Sequence, residues 1–417
     1  MRAATPLANQ IDKADTSADK AFGSGSAETV IQNSYFLILH YLLYLPPSGL
    51  NNSTAPRQTG PVPKWEDCVT TPFLKSGARL LGAAAMFCGL VAGTATAQDV
   101  TLRVHQFLPL QAAIPARAIT PWIEAVESQS NGRIKVEHYP SMQLGGAPPA
   151  LYDQAKDGVV DIIWTVLGYT PGRFPRTEAF ELPFLVTNAE ATSRAFHEFV
   201  EANAMDEFVG VKPLALHVHG PGLLHVKGDG VTTLEDMQGL KLRGPTRIVT
   251  RLLDRLGATA IGMPVPAVPE AVSKGVIDGA VIPWEVTLPL KMTELVNTHT
   301  KFDDPRGLYT ATFVFAMNQG SYDALPDDLK AIIDANSGPD TAAMFGRAMD
   351  DVDAIGEKKA EESGNTILSV SAEETARWKD AARPIVAEWI AEMDGKGFDG
   401  QALVDAARAL VDSNTAK

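Results

Sequence analysis

The stretch "KLRGPTRIVTRLLDRLGA" (residues 241–258) sets Arg243 between apolar neighbours at the end of a strand-like run. A charge in that setting is costly unless an opposite group answers it. Guanidinium offers two parallel N–H donors that match the two oxygens of a carboxylate, which an ammonium cannot do. From the residues alone the answering acid is either the protein's own (Glu235, Asp236 or Glu285) or one brought in by a ligand. His217, His219 and His225 form a second cluster, and His217 and His219 share one strand face. With no carboxylate close by to finish a metal site, they are expected to pack or hydrogen-bond, and no metal or cofactor is expected. "GPGLLH" (220–225) matches half of a dinucleotide fingerprint but has His225 where the third glycine belongs, so it reads as a turn. No phosphate-loop, HExxH or GxSxG pattern is present, so no catalytic residue is assigned and a binding protein is expected rather than an enzyme.

The elements that must position Arg243 alternate between strand and helix. "VTLRVHQFLP" opens as a strand, "ARAITPWIEAVESQS" follows as helix, and Arg133 to Tyr139 alternates again. "VVDIIWTVLGY" is an apolar run of the kind a buried parallel strand carries. The pattern then repeats through "VKPLALHVHG", "LHVKG", "LKLRG", the helix after Pro245, and "GAVIPW"; "ATFVFAMN" is one more buried strand. The tail is mostly amphipathic helix, Ala372–Val411 included, and a homodimer is left open. The expected fold class is α/β, in two lobes with a cleft between them.

The chain has 417 residues and a net charge of −14. That acidity argues against nucleic acid or an anionic membrane surface as partner. A basic flank (Lys75 to Arg79), an apolar run from Leu80 to Gly93 and the small-residue triplet Ala95-Thr96-Ala97 make up a secretory signal peptide over 69–97, cleaved before Gln98 into the periplasm. Residues 1–68 then read as an over-extended start, with translation beginning near Val69. Both cysteines, Cys68 and Cys88, precede the cleavage site, so the mature protein would hold no disulfide. A soluble mature chain with no membrane span is expected.

Around residues 234–285 the motifs "LEDMQGLKLRGP", "LLDRLGATAIGMPVPAVPEAVSKGVIDG" and "IPWE" resemble the substrate-binding proteins of tripartite ATP-independent periplasmic (TRAP) transporters, DctP family. "YPSMQLGG", "DGVVDI", "FELPFL" and "FAMNQGSYDALPDDLKAII" are similar to further landmarks of that family, in the right order over 98–417. The resemblance implies a periplasmic-binding-protein-like fold with crossing strands and a long linking helix. It places 98–220 plus about 309–348 in lobe I, and 221–308 plus about 349–417 in lobe II with the C-terminal helices. It also implies that Arg243 clamps the carboxylate of a small organic acid, which the receptor hands to TRAP membrane permease subunits.

Three positions depart from sialic-acid-binding relatives, whose polar contacts fall near Leu223, Val166 and Ile282 here. Buried sugar hydroxyls would lack partners in such a cleft, so a compact ligand is expected. Phe107, Trp164 and Trp284, with His105, Tyr169 and His219, sit where strands end towards the cleft and complete the candidate set. Arg247 is expected to face solvent and Asp278 to form a turn. Aromatic walls with Glu285 suggest an alternative ligand, a small amino-alcohol or zwitterion. A secreted enzyme using His219 and Glu285 is the remaining, weaker reading.

Overall fold

The computed structural model describes residues 100–416. The readings on 1–68 and on the signal peptide at 69–97 lie outside the described residues. Eleven strands are described: β1 (Val100–Gln106), β2 (Ile134–Tyr139), β3 (Ile162–Val166), β4 (Val211–Val218), β5 (Leu223–Val226), β6 (Lys241–Gly244), β7 (Thr259–Gly262), β8 (Gly279–Ile282), β9 (Thr298–Phe302), β10 (Thr312–Asn318) and β11 (Thr366–Val370).

They form two sheets. The first, of lobe I, runs β2-β1-β3-β10-β4, and the second, of lobe II, runs β11-β9-β5-β8-β6-β7. In lobe I, β1 pairs parallel with β2 and β3, whereas β10 returns antiparallel between β3 and β4. Central β3 is buried along its whole length, which is why its sequence is a continuous apolar run. Edge strand β2 alternates buried and exposed residues over "IKVE". Pro213, which has no N–H to give a ladder, sits in edge strand β4 beside a register shift opposite Phe315/Ala316.

The chain passes from lobe I to lobe II between β4 and β5, and returns between β9 and β10. A third connection is the helix Pro339–Glu362, which packs against the lobe I helix Ala189–Asn203 and β4, and also against the lobe II helix Trp284–Leu290. It approaches each lobe closely because it presents glycine at both contacts. A Cβ on Gly346 would come within 2.3 Å of the Ala189 carbonyl oxygen, and one on Gly356 within 2.4 Å of that of Trp284. This is the crossing-strand and linking-helix architecture that the resemblance implied.

Two expectations change. The C-terminal segment is broken, not continuous: the helix Ala372–Gly395 ends at a turn with Gly397 at φ 88°, and Gly400–Thr415 follows. That last helix was grouped with lobe II, but it packs on the lobe I helix Ala189–Asn203, where Asn414 donates to Glu198 and the Thr187 and Thr415 hydroxyls pair. Thr246 is the N-cap of the helix Arg247–Arg255 that follows Pro245, its hydroxyl accepting from the Val249 N–H. Among the described residues, no helix is long and apolar enough to cross a membrane.

Candidate ligand-binding site

Arg243 lies on β6, which pairs parallel with β7 and β8 so that its side chain leaves the sheet beside their ends. The residue is 2 % exposed. Its Nε donates to the Met263 carbonyl (2.9 Å) and its Nη1 to that of Val281 (3.1 Å). These bonds fix the plane of the guanidinium and use two of its five N–H donors. Among the described residues, Arg243 makes no ion pair. The three acids that could have answered it are otherwise placed. Glu235 pairs with Arg377, Asp236 accepts from the Thr232 and Thr233 backbone, and the Glu285 carboxyl, in the cavity wall, has no partner among the described residues.

The guanidinium faces a small cavity between the lobes. Lobe I supplies an aromatic wall. Phe107 follows β1, Trp164 is on β3, and Phe313 opens β10 opposite His217 of β4. Their rings run nearly parallel: Phe107 on Trp164 at 4.7 Å, Trp164 on Phe313 at 5.4 Å, Phe313 on His217 at 4.9 Å. Trp164 Nε1 donates to His217 Nε2 (2.7 Å), which locks the indole in this stack. Tyr169 stands edge-on to Phe107. Lobe II supplies Arg243, Pro245, Val265, Ile282, Pro283, Glu285 and Val286. Tyr309 and Ala311 come from the returning crossover, and Met349 from the helix that spans the lobes.

The histidines are neutral and occupied. His219 Nε2 accepts from the Ala311 N–H (3.0 Å), so its proton is on Nδ1 and is given to the Gly220 carbonyl (2.5 Å). Burial, with the nearby Arg243 charge adding to it, depresses its pKa to about 3. His219 therefore offers the cavity a ring and no free nitrogen. His225 is tied in the same way. Asn365 donates to His299 Nε2, His299 Nδ1 to His225 Nδ1 (2.7 Å), and His225 Nε2 to the Ile282 carbonyl (3.1 Å). Every ring nitrogen of His217, His219 and His225 is thus engaged, and among the described residues no group of ligating side chains gathers to hold a metal.

Six of the eight sequence candidates line the cavity: Arg243, Trp164, Phe107, Tyr169, His219 and Glu285. Two do not. His105 points behind the sheet, where Nδ1 meets Gln154 (2.7 Å) and Nε2 accepts from the Leu144 N–H. Trp284 packs on His225 and His299 and lines a separate recess with Leu223. Of the three apolar replacements, Val166 and Ile282 are on the cavity wall and Leu223 is not.

Tyr309 and Phe313 were missed. Phe313 was legible as an aromatic in a buried strand reading "ATFVFAMN". Tyr309 lies in a crossover with no periodic pattern, and nothing in its neighbours marks it. It is fully buried, and its hydroxyl, although in a cavity wall, bonds to nothing. Burial raises its pKa, partly opposed by the Arg243 charge. Arg243 acts likewise on Tyr169 and His219, so Tyr169, His219 and Tyr309 surround the cation. The charge acting on Glu285 is instead that of Asp353. Burial first, then Asp353, push its carboxyl well above the usual carboxylate range.

The lobes meet across the cavity mouth. Tyr169 Oη accepts from the Val265 N–H of lobe II (2.9 Å). Gly168 abuts Thr246 so closely that a Cβ would lie 2.4 Å from its methyl carbon. Arg247 was expected in solvent but is bound between Glu178 of lobe I (Nε to Oε1, 2.5 Å) and Glu392 of the helix Ala372–Gly395 (3.0 Å). Helix periodicity placed it one turn from Arg243, and no local pattern could show that Glu178 would arrive there.

Residues 112–392 match the sequence profile of the bacterial extracellular solute-binding proteins, family 7 (DctP). A TRAP solute-binding protein of Rhodoferax ferrireducens T118, solved with copurified benzoate, is 51 % identical over 76 % of this chain and 98 % of its own, with a TM-score of 0.74. A marine metagenome TRAP protein specific for aromatic acid ligands, solved with 3-hydroxybenzoate, is 47 % identical over 76 % of this chain and 99 % of its own, with a TM-score of 0.75. The outer membrane transporter protein TsaT of Comamonas testosteroni is 25 % identical over 76 % of this chain and 94 % of its own. The matched family and the two solved proteins are solute-binding proteins, in agreement with the expectation of a binding protein rather than an enzyme.

Proposed function

Because the chain belongs to family 7 of the bacterial extracellular solute-binding proteins, the receptors of TRAP transporters, we propose that its ligand is an aromatic monocarboxylate held at Arg243 and Tyr309. The observation that carries this reading is a buried guanidinium with no protein counter-charge, opening on a stack of parallel rings. A carboxylate entering the cavity supplies the missing negative charge. It accepts from the donors Arg243 has left, and from the Tyr309 hydroxyl that bonds to nothing in the protein. Removing one partner of such a buried pair costs on the order of 3–5 kcal/mol. Phe107, Trp164 and Phe313 offer flat apolar area to the ring, and His219 adds its edge.

Charge balance argues for one carboxylate, not two. A second would meet the Glu285 carboxyl and apolar Val166, Ile282 and Val286, with no cation to pair with. The same walls leave sugar hydroxyls unsatisfied. The aromatic acids bound by the two similar solved proteins support the same ligand class. In this reading the receptor acts in the periplasm after cleavage before Gln98, and passes its ligand to the membrane permease.

Calorimetry with benzoate, hydroxybenzoates, mandelate, succinate and a sugar acid tests the assignment. Aromatic monocarboxylates should bind and the others should not. Arg243→Ala should abolish binding, and equal affinity in that variant would remove the clamp from the account.

A further inference from the structure

Glu285 is a polar group left over in this cavity. It stands in the first turn of the helix Trp284–Leu290, only 4 % exposed, and it is in the cavity wall. Its backbone N–H is anchored on Asp353 Oδ1 of the lobe-spanning helix (2.7 Å), which fixes where the side chain starts. Among the described residues, no donor and no cation pairs with its carboxyl. The same cavity is lined by Arg243 and by the rings of Phe107, Trp164 and Phe313. It therefore presents a cation, a carboxyl and a ring stack to one ligand.

We propose that Glu285 reads a hydroxyl on the ligand's ring, so that the receptor prefers a hydroxylated aromatic monocarboxylate to the unsubstituted acid. This inference rests on the aromatic-carboxylate reading above. A ring whose carboxylate is held at Arg243 lies in the same cavity as Glu285, and a hydroxyl on it can meet an otherwise unpaired carboxyl. A phenolic hydroxyl donates to a carboxylate and both donates to and accepts from a carboxyl, so either form of Glu285 answers it. An ammonium would require Glu285 to ionise in a closed site next to a second acid, Asp353. A site built to hydrogen-bond a hydroxyl discriminates strongly against the analogue that lacks it, because its own polar group is then left unpaired.

The test is a set of affinities for benzoate, the three hydroxybenzoates and 3-(aminomethyl)benzoate, in the wild type and in Glu285→Gln and Glu285→Leu. The best hydroxybenzoate should bind the wild type at least ~10-fold more tightly than benzoate. Glu285→Leu should bring that ratio to within about twofold by weakening the hydroxylated ligand while keeping benzoate. Glu285→Gln, which retains a donor and an acceptor, should keep most of the preference. A wild type that prefers benzoate, or a preference that survives Glu285→Leu, overturns the inference and leaves the Arg243 clamp standing. Tightest binding of the aminomethyl compound also overturns it, since Glu285 would then be holding a cation. If no aromatic acid binds at all, the failure is that of the parent reading, and benzoate reports it.

Discussion

Replacing Tyr309 by Phe separates ligand binding from folding, because the two effects have opposite signs. The hydroxyl is buried and bonds to nothing in the protein, so the empty closed receptor carries an unmet polar group. Leaving such a group unpaired costs about 1–3 kcal/mol, and Phe removes it without removing ring volume. The ligand-free variant should therefore be as stable as the parent or more so. A carboxylate that accepts from this hydroxyl loses a hydrogen bond to a charged group, worth about 1.5–3 kcal/mol. At 1.4 kcal/mol per factor of ten, affinity should fall on the order of 10- to 100-fold. Thermal unfolding without ligand and calorimetry with benzoate measure the two terms separately. Lower stability with unchanged affinity would refute the reasoning, since the hydroxyl would then have a structural partner and no part in binding.

The lobe contacts and one buried acid give three further expectations. Gly168→Ala puts a methyl where Thr246 already stands, so closure is obstructed; affinity should drop at least ~10-fold, with little change in ligand-free Tm. Arg247→Met leaves Glu178 unpaired only when the lobes are shut, and stopped-flow measurements should show ligand leaving on the order of tenfold faster; an unchanged rate would mean the bridge does not resist opening. Glu181, buried with one oxygen unpartnered, has its pKa raised to about 7 by burial and by the neighbouring Glu178 charge. Because the folded value lies above the unfolded one, its contribution is complete below about pH 4.5 and is lost as pH rises through 7. That loss is of the order of 3 kcal/mol. Glu181→Gln should show a flatter Tm profile between pH 5 and 8 than the parent, and parallel profiles would contradict the assignment.

How much of this was visible in the sequence depends on the range of each signal. Fully buried β3 and β10 announced themselves as apolar runs, and "KLRGP" marked Arg243 as a charge needing an answer. The motif order from "YPSMQLGG" to "LPDDLKAII" carried the family, and the family carried the crossovers. The failures are long-range. Strand alternation would put His105 and Phe107 on one face, but Phe107 lies just past the end of β1, where that rule lapses; His105 goes to the Gln154 side while Phe107 reaches the wall. Trp284 and Glu285 are neighbours on one helix, where successive side chains point about 100° apart, and one enters the His225–His299 packing and the other the cavity. Tyr309 and the Arg247–Glu178 bridge depend on chain segments more than 60 residues apart in sequence, and no local pattern records such meetings.

The helix Pro339–Glu362 is clamped at two points, with Gly346 seated on one lobe's backbone and Gly356 on the other's. Neither seat tolerates a side chain, so the rod cannot slide or roll in place. When the halves swing apart, the rod must either flex along the nine residues between its seats or lift out of one of them. Capture and release of cargo are then coupled to the mechanics of a single beam, and a stiffer or looser beam would reset both without any change at the surface that touches the cargo.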